Sequence, residues 1–466
     1  MSALTFTVSL VYVLVAAGFV TGLHLMKSPA TARRGNQVSA AAMATAVVAT
    51  IVLIAQDHVP LVNWVIIGAA GAAGGLAGMW EARAVKMTAM PQLVSIFNAV
   101  GGGAAALLAV NDILARAAGL SNLSAITGAV DIGIGAVTFT GSLVAAGKLQ
   151  GWVPGRPLAF RGAGTVNLAL ALAAVAGVVW LVAVPSGSVP LALLLGAAVV
   201  LGVTMVLPIG GADMPVVISL LNACTGTAVA MAGFVIGNTV LIIAGALVGA
   251  AGSILTKLMA DAMNRSLLTI IIGGFGTGDG SGGPVTGGGQ VRQTTAEDAA
   301  IQLAYAGKVI IVPGYGLAAA QAQHEIAQLA RYLEEHGVYV AFAIHPVAGR
   351  MPGHMNVLLA EADIPYPQLR EMDDINPEFD AADVALVIGA NDVTNPAARR
   401  PGNPLSGMPI LNVDHAKSVI VVKRSLGHGY AGVDNELYTT PKTAMFFADA
   451  KKGLTALLAA MKALAP

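Results

Sequence analysis

The stretch Lys308-Val-Ile-Ile-Val-Pro-Gly-Tyr-Gly-Leu-Ala-Ala319 decides the fold of the C-terminal part of the chain. A β-branched apolar run leads into the pattern Gly-x-Gly-x-x-Ala, after which a helix is expected. Between a strand and a helix this pattern is the dinucleotide fingerprint. Gly314 permits the tight turn, Gly316 lets the backbone approach a pyrophosphate, and Ala319 allows close packing of helix on strand. A tight turn in an unrelated α/β domain is the alternative interpretation.

Apolar runs of strand length alternate with helical stretches around this motif. Such alternation predicts a parallel, doubly wound, Rossmann-like sheet. We expect one helix over residues 316–336 and a terminal helix over residues 443–463. The predicted strands are Lys308–Val312, Val338–Ile344, Val384–Ile388, Pro409–Val413 and Val419–Val422.

The composition of the whole chain describes a different kind of protein. Its 466 residues are 56% hydrophobic and 11% charged, with one cysteine and a formal net charge of zero. Soluble domains carry about 25% charged residues, so these values exclude an ordinary soluble enzyme, a disordered chain and a nucleic-acid binder. The zero net charge is the sum of two unlike parts. Residues 1–266 hold 11 Lys and Arg against 6 Asp and Glu, and residues 267–466 hold 14 against 19.

The first part predicts a multi-pass α-helical membrane domain with nine transmembrane helices. Each apolar segment is near the ~20 residues that cross about 30 Å of hydrocarbon, and a backbone without water must be helical. The first segment lacks a basic start and a cleavage site, so we interpret it as a retained helix. The predicted spans are 5–26, 38–55, 60–80, 88–110, 123–147, 162–184, 188–207, 213–236 and 238–260.

The basic residues between these spans predict the orientation. Ten of the eleven would lie on one side of the membrane, and only Arg116 on the other. Cytoplasmic loops carry the excess of Lys and Arg, which places the N-terminus outside and the C-terminal domain in the cytoplasm. The ten are Lys27, Arg33, Arg34, Arg83, Lys86, Lys148, Arg156, Arg161, Lys257 and Arg265.

A glycine-rich segment separates the two parts. Eight of the 15 residues in 276–290 are Gly, and a flexible coil of that length spans about 20 Å. We predict a proton-translocating membrane domain at 1–266, a linker at 267–290 and a nucleotide-binding domain at 291–466. The linker is either an inert tether or a hinge that lets the second domain change its pose.

The strand ends indicate which dinucleotide is bound. An NAD site needs an acid at the end of the second strand for the ribose 2′-OH, but that strand ends Ala343-Ile344-His345-Pro346. The last strand ends in Lys423-Arg424-Ser425, two cations and a hydroxyl that suit a 2′-phosphate. NADP is therefore favoured over NAD, with a solvated strand end as the alternative.

Three further loops are polar and glycine-rich and follow strand ends, where open α/β sheets bind ligands. They are His345–His354, Gly389–Pro396 and Gly427–Gly432, the last a candidate lid or a plain surface loop. Asp392 could act through its proton beside a nicotinamide if burial holds it protonated; an Asx turn or helix N-cap is the alternative. His345 and His354 are candidate proton carriers, and no group has metal-ligand spacing.

Polar side chains within apolar spans are functional candidates by default. Asparagines there could instead hydrogen-bond between helices without a transport role, and Asp213 could be an interfacial cap. The candidates are His24, Asn98, Asp131, Asn167, Asp213 and Asn222.

These features together resemble the beta subunits of proton-translocating NAD(P) transhydrogenases over essentially the whole chain. The membrane part carries two of the most specific matches and the sheet part the others. They are Pro208–Val217, Ala262–Ser266, Pro313–Gly316, His345–Glu361, Ile388–Ala397, Val422–Ser425 and Gly429–Val433.

The resemblance implies an oxidoreductase of the bacterial inner membrane. NADH held by an alpha subunit would pass hydride to NADP(H) held here, driven by protons moving into the cytoplasm. Alpha subunits would supply the NAD(H) site and further membrane helices, and the alpha-beta unit would form a dimer. Asp392 would couple the redox state of NADP to proton movement, along a path that includes Asp213 and Asn222. The resemblance implies that the pyrophosphate is held by Gly314, Tyr315 and Gly316 and the 2′-phosphate by Lys423, Arg424 and Ser425. It implies that the rest of the cofactor is held by Ala348, Gly349, Arg350, Gly389, Asn391, Asp392, Gly429 and Tyr430.

One position departs from the pattern. Many members of the family carry a histidine where this chain has Asn98, and asparagine cannot titrate. The titrating histidine is then expected on a partner helix, with Asn98 ordering water or bonding that histidine. A membrane transporter gated by a tethered NADP-sensing domain is the alternative function. A third function, a membrane oxidoreductase that reduces quinone, is disfavoured because the sequence has no flavin, haem or iron–sulfur signature.

Overall fold

The computed structural model describes residues 3–26, 29–56, 59–85, 89–116, 121–154, 158, 162–184, 187–210, 213–263, 267, 291–350, 353–401, 405–427, 429, 431 and 433–464. The chain divides into two compact units. The membrane unit comprises Met1–Pro154, Phe160–Leu207 and Val217–Thr256, and the sheet unit comprises Gly155–Ala159, Pro208–Val216 and Lys257–Pro466. The predicted linker 276–290 lies outside the described residues.

Nine helices in the described part of the chain are long and apolar enough to cross a membrane. They confirm the nine predicted spans, and the largest difference is α2, which begins nine residues early and so carries Arg33 and Arg34. The helices are α1 Ala3–Leu25, α2 Pro29–Ile54, α3 Leu61–Ala84, α4 Met90–Arg116, α5 Asn122–Gln150, α6 Ala163–Ala183, α7 Ser188–Val206, α8 Met214–Ile236 and α9 Thr239–Ala262.

Small residues bring the helices of the membrane unit together. A Cβ on Gly135 of α5 would lie 2.5 Å from the carbonyl oxygen of Gly102 of α4, so a larger side chain there would force the helices apart. Close backbone approach of this kind is how helices associate in lipid. By contrast, α3 has no buried residue, and a Cβ on Gly71 would meet nothing within 4 Å.

The sheet unit contains six parallel strands in the order β3-β2-β1-β4-β5-β6. Val309 of β1 pairs with Val340 of β2 on one side and with Val384 of β4 on the other. The strand order therefore reverses between β1 and β4, and at such a switch point open α/β sheets bind their ligands. The strands are β1 Lys308–Pro313, β2 Tyr339–Ile344, β3 Leu369–Glu371, β4 Val384–Ile388, β5 Ser418–Lys423 and β6 Thr443–Phe447.

Helices cover the sheet and enclose its core. Alternating strand residues such as Ile310, Val387 and Val421 are at most 1% exposed and form one cluster with Phe379 and Leu437. Burying each such side chain contributes about 2 kcal/mol. The helices are α10 Ala296–Ala304, α11 Tyr315–Ala319, α12 Gln323–Glu335, α13 His354–Glu361, α14 Met372–Ile375 and α15 Ala450–Leu464.

Two predicted helices of the sheet unit are wrong in extent. The helix expected over 316–336 is broken into α11 and α12, because Gln321 has a φ of 51° that no α-helix accommodates. The terminal helix expected from residue 443 begins at Ala450, since Thr443–Phe447 pairs with β5 as the sixth strand. The three-residue strand β3 was not predicted.

The predicted strand Pro409–Val413 is also wrong. Its backbone is bonded outside the sheet: Leu411 N–H donates to the Val393 carbonyl (2.9 Å), and the side-chain amide of Asn376 donates to the Ile410 carbonyl (3.0 Å). Proline offers no N–H for a strand ladder. The apolar run is buried as a loop instead.

Candidate functional site

The loops after β1 and β4 meet at the switch point through their backbones. Gly314 N–H donates to the Ile388 carbonyl (2.9 Å), and Gly316 N–H donates to the Gly389 carbonyl (3.0 Å). A Cβ on Gly314 would lie 2.4 Å from the backbone of Ala390, and Gly389 itself has a φ of 72°. The three glycines are therefore required by this contact, and both fingerprint N–H groups are used within it.

The loop after β2 reaches the fingerprint through a cation–π contact. The guanidinium carbon of Arg350 lies 4.2 Å from the ring centroid of Tyr315. Arg350 N–H donates to Nδ1 of His354 (3.0 Å), whose ring lies 6.3 Å from that of Tyr315. Gly349 has a φ of 112°, which glycine adopts readily. A cation is thus fixed beside the βα turn.

Two buried histidines, both in the uncharged form, hold this loop in place. Val347 N–H donates to Nδ1 of His345 (3.2 Å), and Nε2–H of His345 donates to the Pro409 carbonyl (2.9 Å). Burial lowers the pKa of His345 to about 4, against the opposing effect of that carbonyl. Burial and the charge of Arg350 lower the pKa of His354 to about 4. Both rings are neutral at pH 7, which suits positioning rather than proton carriage.

The loop after β4 is bonded to the segment after β5. Oδ2 of Asp392 accepts from Ala431 N–H (3.0 Å). In the amide orientation that satisfies both its atoms, Asn391 Oδ1 accepts from Gly429 N–H (2.7 Å) and from Nζ of Lys423 (3.2 Å). Asp392 begins a short 3₁₀ turn, Asp392–Thr394. Its carboxylate therefore contacts the β5 loop directly.

The predicted cationic cluster is only partly buried. Lys423 is half-buried: its Nζ donates to the Gly427 carbonyl and lies 4.7 Å from the ring centroid of Tyr438. Burial lowers the pKa of Lys423, and the charge of Asp392 opposes this shift. Arg424 and Ser425 are exposed at the strand end. Tyr430 lies outside the described residues.

Three buried residues support these loops: Asn395 of the predicted Gly389–Pro396 loop, and Asn435 and Tyr438, which the sequence analysis missed. Tyr438 accepts a hydrogen bond from the Asn391 amide (2.9 Å). Asn435 donates to the Asn391 carbonyl (2.9 Å), and Asn395 donates to the Asp434 carbonyl (3.0 Å). Asn-Pro and Asp-Asn dipeptides signal turns, but nothing in the sequence indicates that these turns face each other.

In the membrane unit, Asn98 joins α4 to α8. Its side-chain amide lies 3.4 Å from the Ile218 carbonyl, and Thr225 donates its hydroxyl hydrogen to the Asn98 carbonyl (3.1 Å). Asn222 lies four residues beyond Ile218 and three before Thr225, on the same face of α8, and it is half-buried. Asn98 thus contacts α8 directly, and helical spacing puts Asn222 on the face of α8 that Asn98 contacts.

The other membrane candidates are dispersed. Asn167 of α6 lies 3.5 Å from the Thr204 carbonyl of α7, which is interhelical bonding. Asp213 N–H donates to the Gly210 carbonyl (3.1 Å) in the turn before α8. His24 is exposed on α1, and Asp131 is fully buried on α5. No group of three or more His, Cys, Asp or Glu residues able to hold a metal occurs among the described residues.

These observations define a multi-pass membrane protein that carries a Rossmann-like domain with a loop site at its switch point. The family model of the NAD(P) transhydrogenase beta subunit matches residues 8–460. Two curated relatives named NAD(P) transhydrogenase subunit beta, from Rhodospirillum rubrum and from a named strain of that species, are 46% identical over 460 residues, covering 97% of this chain and 98% of each relative. The chain belongs to the NAD(P) transhydrogenase beta subunit family.

Membership carries three general consequences. The chain is part of a transhydrogenase, an oxidoreductase whose reaction involves nicotinamide nucleotides. A beta subunit implies an alpha subunit as its partner. The nine membrane-capable helices agree with a membrane enzyme.

Proposed function

We propose that this chain binds NADP(H) and couples hydride transfer from NADH, held by the alpha subunit, to proton translocation across the membrane. The observation that carries this proposal is the meeting of four strand-end loops, after β1, β2, β4 and β5, at one edge of the sheet. The loops bring a guanidinium, an ammonium and a carboxylate to that edge. Family membership supplies the class of reaction.

The strand end of β5 would hold the 2′-phosphate of NADP. Lys423 is fixed there by Asn391 and Tyr438, and exposed Arg424 and Ser425 follow it. Two cations and a hydroxyl at one point fit a dianion, since charge-assisted hydrogen bonds are the stronger ones. An NAD ribose would offer this cluster only a neutral hydroxyl.

The turn at β1 would hold the pyrophosphate. Because α11 has only five residues, its dipole adds little, and the charge must come from Arg350, which is fixed against Tyr315. Gly314 and Gly316 shape the turn, while Ala348 and Gly349 allow the loop after β2 to approach that turn. This assignment differs from the expectation that the Gly316 backbone itself binds phosphate.

The loop after β4 would lie beside the reacting end of the cofactor. NADP(H) supplies the hydride chemistry when bound; the chain positions it and excludes water. Gly389, Asn391 and Asp392 connect this loop to the β5 segment that contains Gly429 and Tyr430. A carboxylate bonded to a neighbouring loop can gain or lose a proton as that loop moves, which would couple cofactor state to proton movement.

The remaining assignments concern the membrane. We propose that Asp213, Asn222 and Asn98 belong to the proton path, with a titrating histidine on a partner helix. The N-terminus lies outside, the nucleotide domain is cytoplasmic, and the membrane is the bacterial inner membrane. The domain limits are 1–266, 267–290 and 291–466, and two alpha-beta units associate.

The 2′-phosphate assignment has the sharpest test. In the full chain with its alpha subunit, Lys423→Ala combined with Arg424→Ala should weaken NADPH binding by about 3 kcal/mol, over a hundredfold in Kd. NADH binding to the same preparation should not change. Lys462→Ala, which removes an exposed cation of α15, is the control. Equal losses for both nucleotides, or no loss for NADPH, would reject this role for the two cations.

Proteoliposomes containing both subunits separate the two candidate functions. We expect NADP reduction by NADH and acidification or alkalinisation of the lumen to occur together. Transport that continues without exchange of reducing equivalents between the nucleotides would instead favour the transporter with an NADP sensor.

A further inference from the structure

Asp131 is an acidic side chain of the membrane unit that the proposed function does not use. It is 0% exposed, and neither of its carboxylate oxygens has a hydrogen-bond partner among the described residues. It lies nine residues beyond the start of α5 at Asn122, about 13.5 Å along the helix. An ionised carboxylate without a partner is costly to bury, whereas the neutral acid is tolerated. Asp131 is thus suited to carry a proton.

Asp131 belongs to a line of buried polar groups between α4 and α5, which we call the α4–α5 seam. Each group is at most 7% exposed. Asp131 Oδ1 and Oδ2, Ser142 Oγ, Ser95 Oγ and Asp112 Oδ2 have no partner in the described structure, and buried polar atoms left in this way are where ordered water binds. The seam residues are Ser95, Asn98 and Asp112 of α4 and Asp131, Thr138 and Ser142 of α5.

The register of the two helices orders the seam. A Cβ on Gly128 would lie 3.4 Å from Cδ1 of Ile113, one on Gly135 would lie 2.9 Å from Cβ of Ala106, and one on Gly102 would lie 3.0 Å from Cβ of Thr138. The helices are therefore antiparallel.

Extending this register from the Arg116 end gives the order along the seam. Asp112 comes first, then Asp131, then Thr138. Asn98 and Ser142 follow at one level, and Ser95 comes last. Asp131 stands between the end of α4 and Asn98.

The Asp112–Arg116 ion pair is the charge that α4 brings nearest to Asp131 along the seam. Helices α6 and α7 contain no ionisable side chain, and α8 contains only Cys224. On α4, Asp112 is paired with Arg116 at 2.9 Å, and on α5 the other charge is Lys148, near the opposite end. Ala109, Ile132 and Leu194 form one aliphatic cluster that joins α4, α5 and α7.

We propose that Asp131 is the proton-carrying residue of the path between Asp112 and Asn98. The inference rests on the proposed proton translocation. Asp131 is protonated at rest, and its O–H bond breaks when the proton passes to water held by the seam hydroxyls towards Asn98. A proton given up by water from the Arg116 end then forms a new O–H bond on the carboxylate, and no electrons move. Asn98 cannot titrate, and Asp112 is held in an ion pair with Arg116, so Asp131 supplies the unpaired acid of the seam.

The test uses the full chain with its alpha subunit in proteoliposomes. Asp131→Asn should lower proton movement and NADP reduction together by roughly tenfold or more, because a positioned proton carrier is lost. Asp131→Glu should retain a substantial part of both rates with a shifted pH profile. Glu81→Gln, on α3 where no residue is buried, is the matched control and should behave as the unaltered protein.

Two further measurements keep the outcomes distinct. Infrared difference spectra between high and low pH should contain a protonated-carboxyl C=O band that Asp131→Asn removes, whether or not the variant turns over. NADPH binding shows whether each variant is folded. If Asp131→Asn does not bind NADPH, the rates and pH profile of Asp131→Glu test the inference in its place. Wild-type rates and pH profile in a folded Asp131→Asn, or an unchanged infrared band, would overturn the inference. Hydride transfer without proton movement in the unaltered protein would reject the proposed function instead.

Discussion

The membrane unit and the sheet unit differ in where their large apolar side chains lie. In the sheet unit many fully buried positions are large and apolar, such as Phe342 and Ile310. In the membrane unit many buried positions are small, such as Ala109, while Leu61 and Leu107 are at least 70% exposed. Water drives large apolar groups inward, but lipid does not, so in the membrane close packing of small residues holds helices together.

Asn395 of the sheet unit and Asp131 of the membrane unit are both fully buried but differ in their hydrogen bonding. In the sheet unit, fully buried Asn395 donates to the Asp434 carbonyl and accepts from Ala397 N–H and Glu436 N–H. In the membrane unit, Asp131 and Ser142 are equally buried and have unpartnered oxygens among the described residues. Satisfied groups fix loops, whereas unsatisfied ones mark positions for water or protons. His354 of the sheet unit also has an unpartnered Nε2 among the described residues, so the contrast concerns these residues and not the two units as wholes.

Gly135→Ala should produce the largest effect and tests close packing in the membrane unit. The added Cβ would lie 2.5 Å from the Gly102 carbonyl oxygen. The helices must separate, which should destabilise the unit by about 3 kcal/mol. Tryptophan fluorescence during thermal unfolding of the full chain measures this, because every tryptophan belongs to the membrane unit. They are Trp64, Trp80, Trp152 and Trp180.

Gly71→Ala is the control for this substitution, since a Cβ there meets nothing within 4 Å. It should leave the midpoint unchanged or raise it slightly, because alanine favours helix by up to about 1 kcal/mol. Equal losses for the two variants would mean that α3 packs as closely as α5 in the assembled enzyme.

Acid should unfold the sheet unit through its two neutral histidines. His345 and His354 have pKa values lowered to about 4 by burial, against about 6.5 in an unfolded chain. Below pH 6.5 the unfolded chain binds more protons, so stability falls with pH from about 6.5 towards 4. Each histidine should cost about 2 kcal/mol at pH 5. Hydrogen exchange of the β1 and β2 amides against pH measures the loss.

His345→Gln should remove about half of this pH dependence, whatever it does to the stability at pH 7. His324→Gln, which replaces an exposed histidine of α12, should keep the slope. An unchanged slope in His345→Gln would show that His345 binds its proton over the same pH range in the folded and unfolded chain, and the neutral-ring account of the β2 loop would fail.

Sequence reasoning predicted what depends on local pattern. The nine membrane helices follow from length and hydropathy, and β1, β2, β4 and β5 from β-branched runs between turns. It missed β6 because no strong break separates Thr443–Phe447 from the helix that follows. It wrongly predicted a strand at Pro409–Val413, because a buried apolar loop and a buried strand have the same apolar pattern in sequence. It also overlooked the break at Gln321, a non-glycine residue with positive φ.

The candidate site was predictable only in part, for a related reason. Strand ends identify loops that share one edge of a parallel sheet, so the sequence predicted that the loops containing Tyr315, Arg350, Asp392 and Lys423 lie at that edge. Their mutual contacts were not, because the contact between Gly316 and Gly389 joins segments 73 residues apart in the printed sequence. The sequence near Asn435 and Tyr438 also does not indicate that these side chains support the loops after β4 and β5.

Tyr438→Phe should have the smallest effect and tests that support. The change removes the hydroxyl that lies 2.9 Å from the Asn391 amide and 3.4 Å from Nζ of Lys423, while the ring stays beneath the ammonium. We expect NADPH binding to weaken by about 1 kcal/mol, roughly fivefold in Kd. Tyr305→Phe, at a side chain that is 88% exposed, should not change it. A loss as large as that of Lys423→Ala combined with Arg424→Ala would mean that the hydroxyl contacts the cofactor, whereas no loss would show that the ring alone positions Lys423.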